Sequence, residues 1–267
     1  MHFAFICFMT HFIFEENNKR YRAELTRAID LSIPLVAAQN QLAAWYVPPI
    51  SIEAVRADGF VGSVAEGGSV NFRNIAFNPH GHGTHTECLG HITPEVFSVN
   101  ELIKDFHLVA ELITVLPREQ ESPYAPGEKD LIIEKDHLIV HLENFNSKAL
   151  IIRTLPNPIA KQYKNYSATN PPYISEEAMQ YIVDCGIKHL LIDLPSVDRE
   201  VDGGHLKAHH VFWGVGAAER RDCSITELIY VPDGVPDGTY YLNLQFPPFE
   251  NDASPSRPII YPLSSLD

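Results

Sequence analysis

The residues best able to do chemistry in this 267-residue chain are its histidines, and they are clustered. Seven of the thirteen fall in two short stretches: His80, His82, His85 and His91 in NPHGHGTHTECLGH, and His205, His209 and His210 in HLKAHH. Imidazole is the commonest metal-ligating side chain and the usual acid or base near neutral pH, so two such clusters point to a metal centre with proton-transfer groups beside it. Pro79 and the glycines at 81, 83 and 90 predict a tight loop across the first cluster, which disfavours the helical HExxH arrangement of zinc proteases. Within that loop His85 and Glu87 are two apart. In an extended segment both project from one face, and imidazole beside carboxylate is an ordinary donor pair for a divalent ion. One of His209 and His210, with Glu227 from the alternating run SITELIYV, could complete a site begun by the first loop. His205, His107, His137, His141 and His189 are expected to face solvent.

Other chemistries have thin support. Gly67, Gly68 and Ser69 begin a GxSxG elbow, but Asn71 stands where its last glycine belongs. There is no GxGxxG dinucleotide fingerprint and no phosphate-loop lysine motif. Cys88, inside the histidine loop, reads as a packing residue or a neighbour of the ligands. The four cysteines, Cys7, Cys88, Cys185 and Cys223, are far apart without a CxxC pair, as expected of reduced thiols in a cytoplasmic protein. Acidic residues outnumber basic ones 34 to 20, and the resulting charge of −14 repels phosphate backbones and anionic lipid, so neither nucleic acid nor membrane is expected as a partner.

The elements that must position these groups read as an α/β or α+β domain. Short β-rich runs, 69–77, 108–116 and 149–154, alternate with helix-like stretches. The clearest helix starts at Ser175 in YISEEAMQYIVDCG, with a serine cap, acids in the first turn, an Ile174–Met179 staple and Gly186 as the left-handed stop. Its apolar face places Cys185 toward the core. KHLLID then reads as a buried strand delivering the chain to a polar loop. Residues 117–130 and 156–173 look like surface loops. Met1 to Phe14 is apolar but lacks a basic leader, a cleavage site and the ~20 residues of a bilayer span, and reads as an added strand or arm.

The loop GTHTECLGH resembles the HxGTHxDxPxH signature of the cyclase family, which includes bacterial kynurenine formamidase and isatin hydrolase. The similarity continues in order through IDLSIPL, Trp45, LIIRT, the Ser175 helix with LLIDLPSVD, AHHVFW and the Glu227 strand. It implies a single swivelling β/β/α domain over 29–267, preceded by an extension at 1–28. It also implies His85, Glu87, His209 and Glu227 as metal ligands, and His91 and Glu227 as proton-transfer groups. The first family histidine falls on Gly81, so the ligand is taken as His80 in preference to His82. Glu87 replaces the family aspartate, and Leu89 the proline. The resemblance implies one or two divalent ions, zinc or manganese. It implies hydrolysis of a small aryl formamide or cyclic amide by activated water, apolar walls drawn from Trp45, Tyr46, Phe77 and Trp213, and a homodimer or larger assembly. The alternatives are a metal-dependent dehydratase or cyclase, and a non-enzymatic protein with a structural metal.

Overall fold

The computed structural model describes residues 10–38, 40–143 and 147–267. Met1 to Met9, including Cys7, lie outside them. Numbering only the strands of the main sheet, these are β1 (His11–Glu16), β2 (Lys19–Glu24), β3 (Ile29–Asp30), β4 (His85–Glu87), β5 (His107–Val115), β6 (Ala149–Thr154), β7 (His189–Ile192), β8 (Ser224–Glu227), β9 (Gly238–Gln245), β10 (Ala253–Pro255) and β11 (Arg257–Ser265). Their order is β1-β2-β11-β9-β5-β6-β7-β8-β4-β10, with β3 beside β11. β5 to β8 run parallel and the flanking pairs are antiparallel. The 1–28 segment thus contributes β1 and β2 to one edge of the sheet, where Ala23 is fully buried.

All six residues of β6 and all four of β7 are buried, as a parallel strand covered on both faces requires. The helices are α1 (Pro79–His82), α2 (Val99–Leu102), α3 (Lys135–Leu142), α4 (Glu176–Asp184) and α5 (Lys207–Trp213), and one face of the sheet carries Ile113, Leu150, Ile152, Leu190 and Ile225 against α3, α4 and α5. The other carries Leu108, Leu112, Ile151 and Leu191 against Leu242, Leu244 and Ile260. α4 follows its sequence signals: the Ser175 hydroxyl accepts from Ala178 N at 3.2 Å, a cap contributing about 1 kcal/mol, and Ile174 and Met179 are buried together.

Three sequence expectations fail for one reason, that partners distant in the chain override local pattern. His189, expected at the surface, opens β7 in the middle of the sheet at 1% exposure, with Nδ1 2.9 Å from Ser224 Oγ. Burial pulls its imidazole down to about 4. Residues 117–130 are not all loop: Arg118–Glu121 pairs with Lys129–Ile133, which also takes Tyr173–Ile174 as a parallel neighbour. The polar run REQE shows no apolar face and so hides its strand character. Only Arg73–Ala76 of 69–77 is strand, exposed and paired with Ser51–Ala54.

Asp193, just after β7, is buried at the sheet end and ties down the 155–163 turn. Its carboxylate accepts from Thr154 N at 2.9 Å, Thr154 Oγ1 at 2.8 Å and Lys161 Nζ at 2.8 Å. Burial raises its pKa and the Lys161 ammonium opposes the rise.

Candidate metal centre

The two histidine clusters meet. β4 is sandwiched between β8 and β10, and its register sets His85 opposite Glu227 and Glu87 opposite Ile225 on one side, with Glu87 opposite Ala253 on the other. His85 and Glu87 therefore share a face with Glu227, all three nearly inaccessible. His85 Nε2 is 3.5 Å from Glu227 Oε2 and 4.0 Å from Glu87 Oε2. Its Nδ1 donates to Gly83 O at 3.0 Å, which leaves the Nε2 lone pair directed at the carboxylates.

His80 arrives on α1 (Pro79–His82), a single helical turn. Asn78 caps it by accepting from Gly81 N at 3.1 Å, and Pro79 takes the first helical position, where its missing N–H costs nothing. The turn decides which of the histidines flanking Gly81 faces Glu87. A side chain at Gly81 would sit 2.8 Å from Val47 Cγ2 and 3.0 Å from Ala44 O, so this position holds backbone against the 44–47 segment, not a ligand. His82 is also committed elsewhere: Asn78 N donates to its Nδ1 at 2.8 Å and its Nε2 lies 2.9 Å from Pro48 O. His80 Nδ1 instead lies 3.1 Å from Glu87 Oε2.

His209 comes from α5. Asp198 accepts from Ala208 N at 2.8 Å and from His209 N at 3.0 Å, so a carboxylate from another loop caps the helix whose own N-cap, Leu206, is in the left-handed region at φ 44°. The same carboxylate binds His209 Nδ1 at 2.6 Å and turns Nε2 toward Glu87 Oε1, 3.1 Å away. A carboxylate holding the outward nitrogen of an imidazole is the usual support of a metal-ligating histidine. His210, next in sequence, makes none of these contacts. Glu227 Oε1 accepts from Val197 N at 3.0 Å. His91 is partly exposed at the mouth, Nε2 3.8 Å from Glu87 Oε2, its ring stacked on His80 at 4.2 Å.

Asp252, just before β10, had no signal in the sequence. Its Oδ2 lies 2.9 Å from His80 Nε2 and 3.2 Å from His91 Nδ1. It reaches the centre because β10 pairs with β4 and Cys88 N donates to Asp252 O at 3.0 Å. Asp198 was also missed, although it lies in the polar loop after KHLLID. Cys88 is fully buried, packs with Val99 and Ile103, and burial pushes its thiol up to about 12, far from a nucleophile.

The electrostatics call for a cation. His85 Nε2 and Glu87 Oε2 are buried with no hydrogen-bond partner, since His80 Nδ1 approaches Oε2 without the alignment a hydrogen bond needs. Such orphaned atoms ordinarily cost about 1–3 kcal/mol each. Burial and the Glu87 charge raise Glu227, while burial of Glu87 is outweighed by His91, His209 and His80, which hold it well below the usual carboxylate range. Burial opposes ionisation of His80 and His209, yet Asp252 with Glu87 lifts the first to about 10, and Asp198 with Glu87 lifts the second well above 6.5. Protons on these imidazoles and a divalent ion are competing ways to neutralise the same carboxylates, so loading of a metal would release protons. Three triads, His80/His85/Glu87, His80/His91/Asp252 and Glu87/His91/His209, each offer donor atoms within 4.8 Å of one another.

The centre floors a cavity of about 650 Å³ lined by Trp45, Val47, Asn78, Ser196, Leu206 and the 199–204 loop. Of the expected walls only Trp45 takes part. Tyr46 lines the adjoining cavity, Phe77 packs on Phe249, and Trp213 is buried 5.4 Å behind His209. Trp45 and Tyr46 have φ of 60° and 55°, costly for non-glycine residues and held by the Ala44 N to Gly81 O bond at 2.8 Å.

A family model described as Putative cyclase matches residues 29–199. The chain is 30% identical over 238 residues to a kynurenine formamidase of Bacillus thuringiensis (strain Al Hakam), covering 88% of this chain and 97% of that protein. It is 29% identical, with the same coverage, to one of Bacillus anthracis. Among solved structures, isatin hydrolase A from Labrenzia aggregata bound to benzyl benzoate superposes with a TM-score of 0.62 at 17% identity, over 88% of this chain and 93% of that one. A potential metal-dependent hydrolase with cyclase activity gives 0.61 at 18% identity, over 88% and 97%.

Proposed function

The chain belongs to the putative cyclase family, and from that premise we propose that it is a divalent-metal-dependent hydrolase cleaving the C–N bond of a small aryl formamide or cyclic amide. The observation that carries the reading is the pair of buried, unpartnered atoms His85 Nε2 and Glu87 Oε2, 4.0 Å apart and against His80 and Glu227, which line the cavity. His80, His85, Glu87, His209 and Glu227 would hold the metal. Their mixed nitrogen and carboxylate donors suit zinc or manganese. When bound, such an ion lowers the pKa of water toward ~7 and polarises the amide carbonyl.

The protein's own groups do the rest. Trp45, Val47 and Leu206 wall the cavity for an apolar ring, and Asn78 and Ser196 offer polar contacts. His91 Nε2, facing Glu87 from the solvent side, is placed to move a proton to the departing nitrogen, work worth roughly 10² to 10⁴ in rate. Glu227, with Oε2 3.5 Å from His85 Nε2 and Oε1 3.9 Å from His209 Nε2, is the second group placed to relay that proton.

A cytoplasmic homo-oligomer fits the free thiols of Cys88, Cys185 and Cys223 and the exposed Leu116, Ile159 and Tyr163. Among the described residues no helix is long and apolar enough to cross a membrane. The test is elemental analysis of purified protein with a screen of formanilides, cyclic amides and lactones. We expect stoichiometric zinc or manganese, amide turnover, and loss of both in His85→Ala. Full activity in that variant refutes the assignment.

A further inference from the structure

We propose that Asp252 is a positioning residue that fixes the proton tautomers of His80 and His91 together, so that one carboxylate serves a metal ligand and a proton-transfer group at once. The proposal rests on the metal-dependent reading above. A single oxygen, Oδ2, lies 2.9 Å from His80 Nε2 and 3.2 Å from His91 Nδ1. An ionised carboxylate only accepts, so each nitrogen facing it must carry the hydrogen. With a cation in place of protons neutralising Glu87, the lone pairs are left on His80 Nδ1 and His91 Nε2, the two atoms that face Glu87 Oε2 at 3.1 and 3.8 Å. The opposite tautomers would point N–H bonds at the metal centre, where neither ligation nor proton acceptance is possible. The two rings are stacked at 4.2 Å with 27° between planes, so one anchor holds both.

The backbone explains why the anchor is rigid. Ala253 is in register with Glu87, and Asp252 O accepts from Cys88 N at 3.0 Å, so Asp252 is tied to the strand that carries Glu87 itself. His85 and His209 are oriented separately, by Gly83 O and by Asp198. Each imidazole of the centre therefore has an acceptor on its outward nitrogen, and Asp252 alone serves two. Supporting carboxylates of this kind typically change metal affinity or activity 10- to 100-fold when removed.

The test uses Asp252→Asn, which preserves shape but can present an N–H to the imidazoles, and Asp252→Ala. Three readouts are taken: calorimetric titration of the metal-free protein with zinc chloride, kcat and KM on formanilide, and long-range ¹H–¹⁵N spectra of the zinc-loaded, histidine-labelled protein. Expected are Nε2–H on His80 and Nδ1–H on His91 in the unmodified chain. In both variants we expect loss of that pattern, zinc affinity weakened about 10- to 100-fold, and kcat lowered by at least that factor with KM within about threefold. Unchanged tautomers, or zinc affinity and kcat both within threefold in Asp252→Asn, overturn the proposal. If the unmodified protein binds zinc but hydrolyses no amide, the functional reading falls, while the spectra and the calorimetry still decide the role of Asp252.

Discussion

Asp198 gives the sharpest prediction, because it joins the fold to the candidate metal centre through three short contacts. It accepts from Ala208 N and His209 N at the start of α5 and from His209 Nδ1 at 2.6 Å, and its side chain is 4% exposed. Removing it in Asp198→Ala deletes a helix cap of about 1 kcal/mol and a charge-assisted hydrogen bond of roughly 1.5–3 kcal/mol, so the metal-free protein should lose about 2.5–4 kcal/mol. Asp198→Asn keeps an oxygen for the α5 amides, and its stability loss should be about 1 kcal/mol. Its amide N–H, however, can meet His209 Nδ1 and drive the hydrogen to Nε2, toward Glu87. Zinc affinity should therefore fall about 10- to 100-fold in both variants, although their stabilities differ. Urea denaturation of the metal-free forms, with zinc titration of each, separates the two effects. If zinc affinity simply tracks stability, or Asp198→Asn binds zinc within threefold of the unmodified protein, the orienting role is refuted.

Other consequences follow from the same geometry. His189 should make stability fall on acidification: its folded pKa, about 4, lies below the usual 6.5, so the unfolded chain binds the extra proton. The group's contribution is complete above 6.5 and about 3 kcal/mol is lost as pH falls from 6.5 to 4. Urea midpoints for His189→Gln should show that slope removed, and a parallel pH dependence in variant and parent would contradict the assignment. Lys161→Met, which strands the buried Asp193 carboxylate, should cost about 3–5 kcal/mol, and adding Asp193→Asn should recover part of it; strictly additive losses in chemical denaturation would count against the coupling. The cavity's guanidinium, Arg199, is spent on Asp130 at 3.1 Å and Glu128 at 2.8 Å, with Glu200 and Asp202 beside it. Neutral formanilide should accordingly exceed 2-formamidobenzoate in kcat/KM by about tenfold or more, from the unfavourable field on an anion. Preference for the benzoate would show that this guanidinium is available to substrate.

Much of the chemistry was written in local sequence. His85 and Glu87 two apart on an extended segment, Ser175 as a cap and the apolar run before Asp193 were legible because period and capping are properties of neighbouring residues. Which of His80 and His82 faces Glu87 was not, since it depends on Val47 and Ala44 filling the space at Gly81 and on Asn78 winding one helical turn. Nor was the burial of His189, which follows from strand order, or the hidden strand 118–121, which has no apolar face.

The sequence alone determined which donor types were present and which of them shared a short segment. Only the tertiary structure decided which distant groups joined them. Asp252 lies 172 residues from His80, and Asp198 reaches His209, 11 residues on, across the loop between β7 and α5. Nothing in a run such as FENDASP marks its aspartate as different from any other surface acid. Its role arises from the pairing of β10 with β4, a long-range hydrogen-bond register that short-range pattern does not encode.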